Sequence, residues 1–249
     1  MLRKLAPVNS LLSEDGFTSE VIPLRHFFGT RQVPTGLETF IHAGEVTVWP
    51  PAFPFIATLK QIHSTRVVVF DSPVNPGAMS VGEADALVTN QPNLLLVVRT
   101  ADCVPVLLMD CKIGVIGAVH AGWRGAVGGL LPRTIQTCVE QFGSDVANLH
   151  VAIGPSIGPC CYEVDAQVIE PLHAGYPDWQ GVLQETSAGK GMLDLKQLLW
   201  HQTLSSGIPE GQVERMEYCT RCREDLFFSY RREGKVIGTM MSGIMLPGE

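Results

Sequence analysis

The sequence predicts an α+β fold, with mixed β-sheets layered against flanking helices in a single domain over residues 1–249. Three observations predict it. Short apolar runs outnumber segments of helical period. The runs follow one another in groups instead of alternating strictly with helices. Of the 249 residues, 45% are hydrophobic and only 17% charged, which is enough apolar material for a large core. No internal repeat, low-complexity tract or domain boundary interrupts the chain.

Residues 1–58 are rich in proline, glycine and aromatics and carry short strand-like pieces such as EVTVWP. From residue 59 the apolar runs become denser. RVVVFD, DALVT, LLLVVRT, VPVLLMD and IGVIGAVH are β-branched or leucine-rich and bounded by turn residues, so they read as buried strands. RTIQTCVEQFG is the best helix. Ile135, Cys138, Val139 and Phe142 recur at helical spacing, Pro132 suits the first turn, and Gly143 sits where a C-terminal cap belongs. A start near Trp123 would instead place a kink at Pro132. NLHVAIGP reads as a further strand. DAQVIEPLHAG and DLKQLLWHQTLSSG read as helices, the second closing on Gly207. LFFSYRREGKVIGTMMSGIML reads as a terminal hairpin turning at Glu233-Gly234.

Net charge is −7, and no basic face suggests a nucleic-acid partner. The first residues, MLRKLAPVNSLLSEDG, lack the apolar centre of a signal peptide, and no run reaches the length of a membrane span. Seven cysteines, an odd number, then point to the reducing cytoplasm and to free or metal-bound thiols. A small-molecule substrate is the default.

Three potential metal ligands sit at strand ends or on turns: His63 in KQIHSTR, Cys103 in RTADCVPVLL and His120 in VHAGWRG. Two imidazoles and a thiolate form a Zn²⁺ set of the catalytic kind, with a fourth position left for water. Spacing alone leaves a second reading open, in which the histidines are satisfied polar residues and Cys103 is a small core residue. Asp102 could orient a ligating imidazole or cap its own turn. In HAGWRG, Gly122 and Gly125 would let backbone approach a substrate, and Arg124 offers a fork for phosphate or carboxylate. N–H groups of a following helix would add to that anion site. The alternative is a core Trp123 and a surface ion pair at Arg124.

The remaining signals are weaker. Cys219-x-x-Cys222 has redox or zinc spacing, and Cys160-Cys161 could complete a four-thiolate site. The context is not the βαβ of a redox motif, and vicinal cysteines seldom offer two ligands, so both pairs read as structural. Gly154-Pro155-Ser156-Ile157-Gly158 fits the G-x-S-x-G elbow of serine hydrolases, but Pro159 and two cysteines stand where the elbow needs a helix. No phosphate-binding glycine loop follows a strand.

Taken together, KQIHS, ADALVT, TADCVPVLL, HAGWRG, IGPSIGPCCYEV and C-x-x-C-x-x-D-L-F-F-S-Y-R-R-E-G resemble one family, the YfiH-like, laccase-domain-containing proteins once labelled multicopper polyphenol oxidases. The resemblance spans residues 59–245. Nearer the start the family often carries G-F-x-T-R-x-G-G. This chain has FFGTRQVPTG, in which Arg31 matches the arginine and the following glycines are missing. The resemblance implies a zinc site of His63, Cys103 and His120. It implies phosphorolysis of adenosine, inosine, guanosine or methylthioadenosine to the base and ribose 1-phosphate, together with deamination of adenosine. Arg124 and Arg31 are then candidates for phosphate, and Asp102 and Glu163 for ligand orientation or acid–base work. Copper-dependent phenol oxidation and amidase-like editing of peptidoglycan precursors are also attached to the family. The amidase reading needs only Cys103 as nucleophile and His120 as base. Multicopper oxidation needs many histidines. The chain has seven, His26, His42, His63, His120, His150, His173 and His201, and no H-x-H pair.

Overall fold

The structure is a computed structural model and describes residues 3–4, 16–32, 55–72, 77–187 and 189–248. In chain order its strands are β1 (Arg3–Lys4), β2 (Gly16–Thr18), β3 (Arg25–Gly29), β4 (Phe55–Lys60), β5 (Val67–Val69), β6 (Gly77–Glu83), β7 (Ala86–Thr89), β8 (Leu94–Thr100), β9 (Val104–Asp110), β10 (Val115–Ala121), β11 (Leu149–Ile153), β12 (Glu163–Asp165), β13 (Leu183–Ser187), β14 (Lys190–Leu193), β15 (Val213–Arg215) and β16 (Met240–Met245). The sequence runs read as buried strands correspond to β5, β7, β8, β9, β10 and β11. EVTVWP lies outside the described residues.

Three mixed or antiparallel sheets result. One has the order β1-β2-β3-β16-β8-β4-β6, the second β15-β11-β9-β10-β7-β5, and a small third β12-β14-β13. The period of two along β9 explains the layering. Val104, Val106 and Leu108 face the helices, while Leu107 and Met109 face the first sheet. The second sheet is therefore buried on both faces. One core lies between the sheets, around Phe28, Leu96, Leu107, Ile116 and Phe227. The other lies under the helices Leu130–Phe142, Ala166–Gly175 and Leu195–Ser205. The expected α+β arrangement of mixed sheets with helices outside is present.

The helix after HAGWRG resolves the question posed by Pro132. A single turn, Trp123–Val127, ends at Gly128, and a separate helix begins at Leu130. Gly129 between them has φ +77°, a left-handed conformation that glycine adopts without a Cβ penalty. Pro132 thus falls in a first turn, and Gly143 caps the far end, also left-handed. Val139, expected on the buried face, is exposed, and Leu131 and Thr134 take that face with Ile135 and Cys138.

The terminal hairpin is a correction. Residues 226–229 pair in no strand, and Tyr230–Glu233 forms a helical turn capped by the Ser229 hydroxyl, which accepts from the Arg232 N–H. Glu233-Gly234 closes that turn, and only β16 joins the sheet, between β3 and β8. The apolar FFS run misleads because Phe227 packs into the core while Ser229 is drawn towards Asp102. Among the described residues no helix is long and apolar enough to cross a membrane.

Candidate metal centre

β9 and β10 are antiparallel neighbours, with His120 opposite Pro105 and Ala121 opposite Val104. That register sets Cys103, just before β9, beside Gly122, just after β10. His63 comes from the other sheet, on the turn that leaves β4. The ligand atoms of His63, Cys103 and His120 all lie within 4.8 Å of one another. The imidazoles meet edge to face with centroids 4.9 Å apart, and His63 Nε2 is 3.8 Å from Cys103 Sγ. A tetrahedral Zn²⁺ with ordinary Zn–N and Zn–S bonds separates such a pair by about 3.6 Å. His120 is buried, Cys103 half-buried and His63 exposed, so the set opens to solvent on the His63 side. The donor set therefore fits a mononuclear metal with one face free.

Backbone conformation supports the convergence. His63 has φ +57° and Asp102 has φ +90°, both left-handed for residues that carry a Cβ. Such conformations persist where surrounding bonds fix them, and they cluster at functional sites. Gly122 has no such requirement, but a Cβ there would stand 2.9 Å from the His63 ring and 3.2 Å from Cys103 Sγ. Gly125 is similarly close to the Ser64 carbonyl. The glycines of HAGWRG thus let backbone approach the triad itself.

The organising residue is Asp85, which sequence reasoning passed over. It is fully buried before β7. Its carboxylate accepts from the N–H groups of Ile62, His63 and Ser64, from the Ser64 hydroxyl, and from His120 Nδ1 at 2.8 Å. It therefore shapes the His63 turn and holds His120 with Nε2 turned to the metal position. The signal was a carboxylate directly before an apolar strand, in DALVT. Burial alone would raise the Asp85 pKa, but the bonds from His120 and Ser64 outweigh it and hold the acid at about 2. Burial likewise pushes the Cys103 thiol up, yet the His120 charge and hydrogen bonds from both histidines bring it down to about 6. Burial pulls His120 down, and the Cys103 thiolate with Asp85 lifts it to about 9. Without metal, these contacts favour the imidazolium–thiolate form of the pair, backed by a carboxylate.

Asp102 is also buried and serves as an anchor. Oδ1 accepts from the Thr220 hydroxyl at 2.6 Å, and Oδ2 accepts from the Ser229 hydroxyl and the Arg231 N–H. It fixes the Cys103 turn and touches neither imidazole. Glu163 points away, paired with Lys190 at 3.0 Å, while its carbonyl accepts from the Arg231 guanidinium. Arg124 is exposed, with its guanidinium 4.3 Å from the Trp123 ring centroid. Arg31 donates to the Glu224 carbonyl and lies over Phe228.

Two residues at the mouth were missed. Arg231 lies over the Tyr162 ring at 5.0 Å. Tyr162 is pushed up to about 12, first by burial and then by the Cys103 charge, against the pull of Arg231 and Arg124. Both occur in quoted motifs, CCYEV and YRREG, but nothing local signals that they meet.

The G-x-S-x-G segment is structural. Ser156 is buried and bridges to Cys219, and a Cβ on Gly154 would run into Phe28 and Pro105.

Comparison with known proteins follows the same lines. Purine nucleoside phosphorylase YlmD of Geobacillus stearothermophilus is 38% identical over 168 residues, 67% of this chain and 61% of that protein. The chain thus spans about three fifths of that relative's length. Adenosine deaminase RL5, from an unknown prokaryotic organism, is 34% identical over 191 residues, 74% of this chain and 72% of the relative. The crystal structure of the hypothetical protein YfiH of Bacillus licheniformis superposes with a TM-score of 0.83 at 27% identity, covering 98% of each chain. The family described as multi-copper polyphenol oxidoreductase laccase matches residues 48–247, and this chain belongs to it.

Proposed function

We propose that the chain is a zinc-dependent purine nucleoside phosphorylase that also deaminates adenosine. The observation that carries this reading is the convergence of His63, Cys103 and His120 on one solvent-open point, with Arg124, Arg231 and Tyr162 around it. The names of the relatives supply the substrate class, purine nucleosides, and adenosine, inosine, guanosine and methylthioadenosine are the proposed members.

When bound, Zn²⁺ supplies a Lewis acid and lowers the pKa of a coordinated water to about 7. The chain's own groups do the rest. Asp85 keeps the proton on His120 Nδ1 and so presents Nε2. Arg124, held against Trp123, binds phosphate beside the ribose, and Arg231 adds a second positive charge. Arg31 is a further candidate for that anion. Tyr162 keeps its phenolic proton at neutral pH and offers a neutral donor to the purine ring. Four of the other histidines are engaged elsewhere: His26 with Ser19 and Leu24, His150 with Cys111, His173 with Trp179 and His201 with Tyr176. That distribution supports one metal over a multicopper cluster. Seven free thiols and the acidic net charge favour a reducing compartment and small-molecule partners over nucleic acid.

The test is incubation of zinc-replete protein with adenosine, with and without phosphate, followed by chromatography. Adenine and ribose 1-phosphate should appear only with phosphate, and inosine without it. If neither forms on protein shown to hold zinc at the His63–Cys103–His120 site, the nucleoside reading fails.

A second reading rests on one observation, the Cys103–His120–Asp85 relay with a thiolate near neutral pH. That is the arrangement of a cysteine amidase. Alkylation of Cys103 with loss of amide hydrolysis, in zinc-replete protein, would favour it.

A further inference from the structure

A second cluster of sulfur lies apart from the triad. The Sγ atoms of Cys160, Cys161, Cys219 and Cys222 are all within 4.8 Å of one another. Cys222 is 3.4 Å from Cys161 and 3.7 Å from Cys160. A tetrahedral ion with Zn–S bonds of about 2.3 Å places its sulfurs about 3.8 Å apart. The two Cys222 distances are close to that value, and the remaining pairs lie no more than about 1 Å beyond it.

The fold builds it from two tight turns. Ser156 bridges Cys219 in parallel, and the Thr220 N–H bonds the Ser156 carbonyl at 3.0 Å. One turn then closes with the Cys161 N–H on the Gly158 carbonyl, the other with the Arg223 N–H on the Cys219 carbonyl. Each turn carries two cysteines. A Cβ on Gly158 would crowd the cluster, standing 3.2 Å from the Cys219 Cβ and 3.4 Å from Cys160 Sγ.

Two of the four sulfurs, those of Cys219 and Cys161, also have donors suited to a thiolate. Cys219 Sγ accepts from the Gly158 N–H at 3.2 Å and from the backbone N–H groups of Arg221 and Cys222. Donation from the second and third residues after a cysteine wraps the loop around a charged sulfur. The Arg221 guanidinium lies 3.4 Å from Cys161 Sγ. Four neutral thiols have no need of these donors. Cys160 and Cys222 are exposed, which leaves an entry path, and Cys219 is buried beneath them.

We propose that Cys160, Cys161, Cys219 and Cys222 form a second metal centre, a closed tetrathiolate site for Zn²⁺. Each thiol that ligates gives up its proton to solvent, so binding tightens as pH rises. The role is positioning. Thr220 sits between Cys219 and Arg221 and donates to Asp102, whose left-handed backbone sets Cys103. The Arg232 guanidinium ties the Thr220 and Arg221 carbonyls to the same turn. The ion would clamp this loop and, through Asp102, the thiolate of the other centre. The site stands independently of the nucleoside reading.

The experiment counts metal. Protein expressed with zinc and stripped of loosely bound ions is analysed by plasma mass spectrometry. Wild type should hold two zinc ions per chain, and Cys103→Ala one. Adding Cys160→Ser and Cys222→Ser to Cys103→Ala should leave none. Cobalt-loaded Cys103→Ala should show the intense near-ultraviolet thiolate-to-cobalt charge transfer of four sulfurs, a readout that does not need the serine variants to fold. Cys103→Ala with no bound zinc and no such band overturns the proposal. So does a native mass showing the four cysteines joined as disulfides in protein purified under reducing conditions.

Discussion

Replacing Asp85 by Asn changes almost no volume and tests the proposed organisation of the triad. The carboxylate takes bonds on Oδ1 from Ile62, His63 and His120, and on Oδ2 from the N–H and hydroxyl of Ser64, with the Ile62 N–H shared between the two oxygens. An asparagine has one acceptor oxygen. It keeps the richer set if that oxygen takes the Oδ1 position, and its NH₂ then faces the Ser64 N–H. The Ser64 hydroxyl can turn to accept, but the backbone N–H cannot. One buried donor without a partner costs about 1–3 kcal/mol. The His120 bond also loses its ionic character, a further loss of about 1 kcal/mol from the difference between charged and neutral bonds. Global stability should therefore fall by about 2–4 kcal/mol.

Metal affinity should fall separately. With a neutral partner His120 is less basic, and an asparagine turned the other way donates to Nδ1, which puts the proton on Nε2 where the metal belongs. Loss of such a supporting group typically weakens metal binding about 10- to 100-fold. Competition against a chromophoric chelator measures the affinity, and urea unfolding of the metal-free chain measures the stability. Zinc affinity equal to wild type in a folded variant would refute the account of Asp85, whatever the stability result.

Five other outcomes follow from contacts elsewhere in the fold. Gly122→Ala, at φ −72°, strains no backbone but drives a methyl against His63, so zinc at the triad should be lost while the metal-free chain melts close to the metal-free wild type. Thr220→Val removes one donor from the buried Asp102 carboxylate and should cost about 1.5–3 kcal/mol of unfolding free energy, read by urea titration, while Ser156→Ala leaves every proposed activity intact because that hydroxyl faces no substrate. Arg124→Ala should raise the KM for phosphate without altering phosphate-independent deamination; equal effects on both would detach Arg124 from the anion. His26 is held below its ordinary 6.5 by burial, outweighing its bond to the Leu24 carbonyl. The unfolded chain therefore binds more protons between the folded value and 6.5, and stability should decline as pH falls through that window, less so in His26→Gln.

The central strands β8, β9 and β10 were legible because they are buried on both faces, whereas the half-exposed β6 and β13 carried no such signal. VPVLLMD and IGVIGAVH have no polar register to lose, and their flanking Asp, Gly and His mark the ends. The three proposed ligands stood out as polar residues at strand ends or on turns, and the family resemblance decided between them and the alternative readings. A histidine or cysteine that ends an apolar run is already at the rim of a sheet. The residues that hold those ligands did not stand out. Asp85 looks like a turn residue until its partners, 21 to 35 positions away in sequence, close around it. Thr220 and Ser229 reach Asp102 from 118 and 127 positions away. The terminal hairpin failed for a related reason. Local pattern registered FFS and IML as strands, while the intervening turn answers to a carboxylate on another element.

That pattern suggests how the site is specified. The ligands themselves are few and locally marked, but each is held by a carboxylate with several distant donors. Asp85 ties the turn after β4 to the end of β10. Asp102 ties the start of β9 to the loops that precede β16. Both acids precede a strand by one or two residues, and both are buried with every bond directed at backbone, hydroxyl or imidazole. A buried charge with that many donors has one acceptable geometry, because any displacement strands either the carboxylate or a donor without water. The two carboxylates therefore do for position what an apolar core does not, which is to fix a direction. Loss of either should misplace a ligand before it unfolds the sheet. Zinc affinity should then respond to Asp85→Asn and Thr220→Val even at temperatures where both variants retain native circular dichroism.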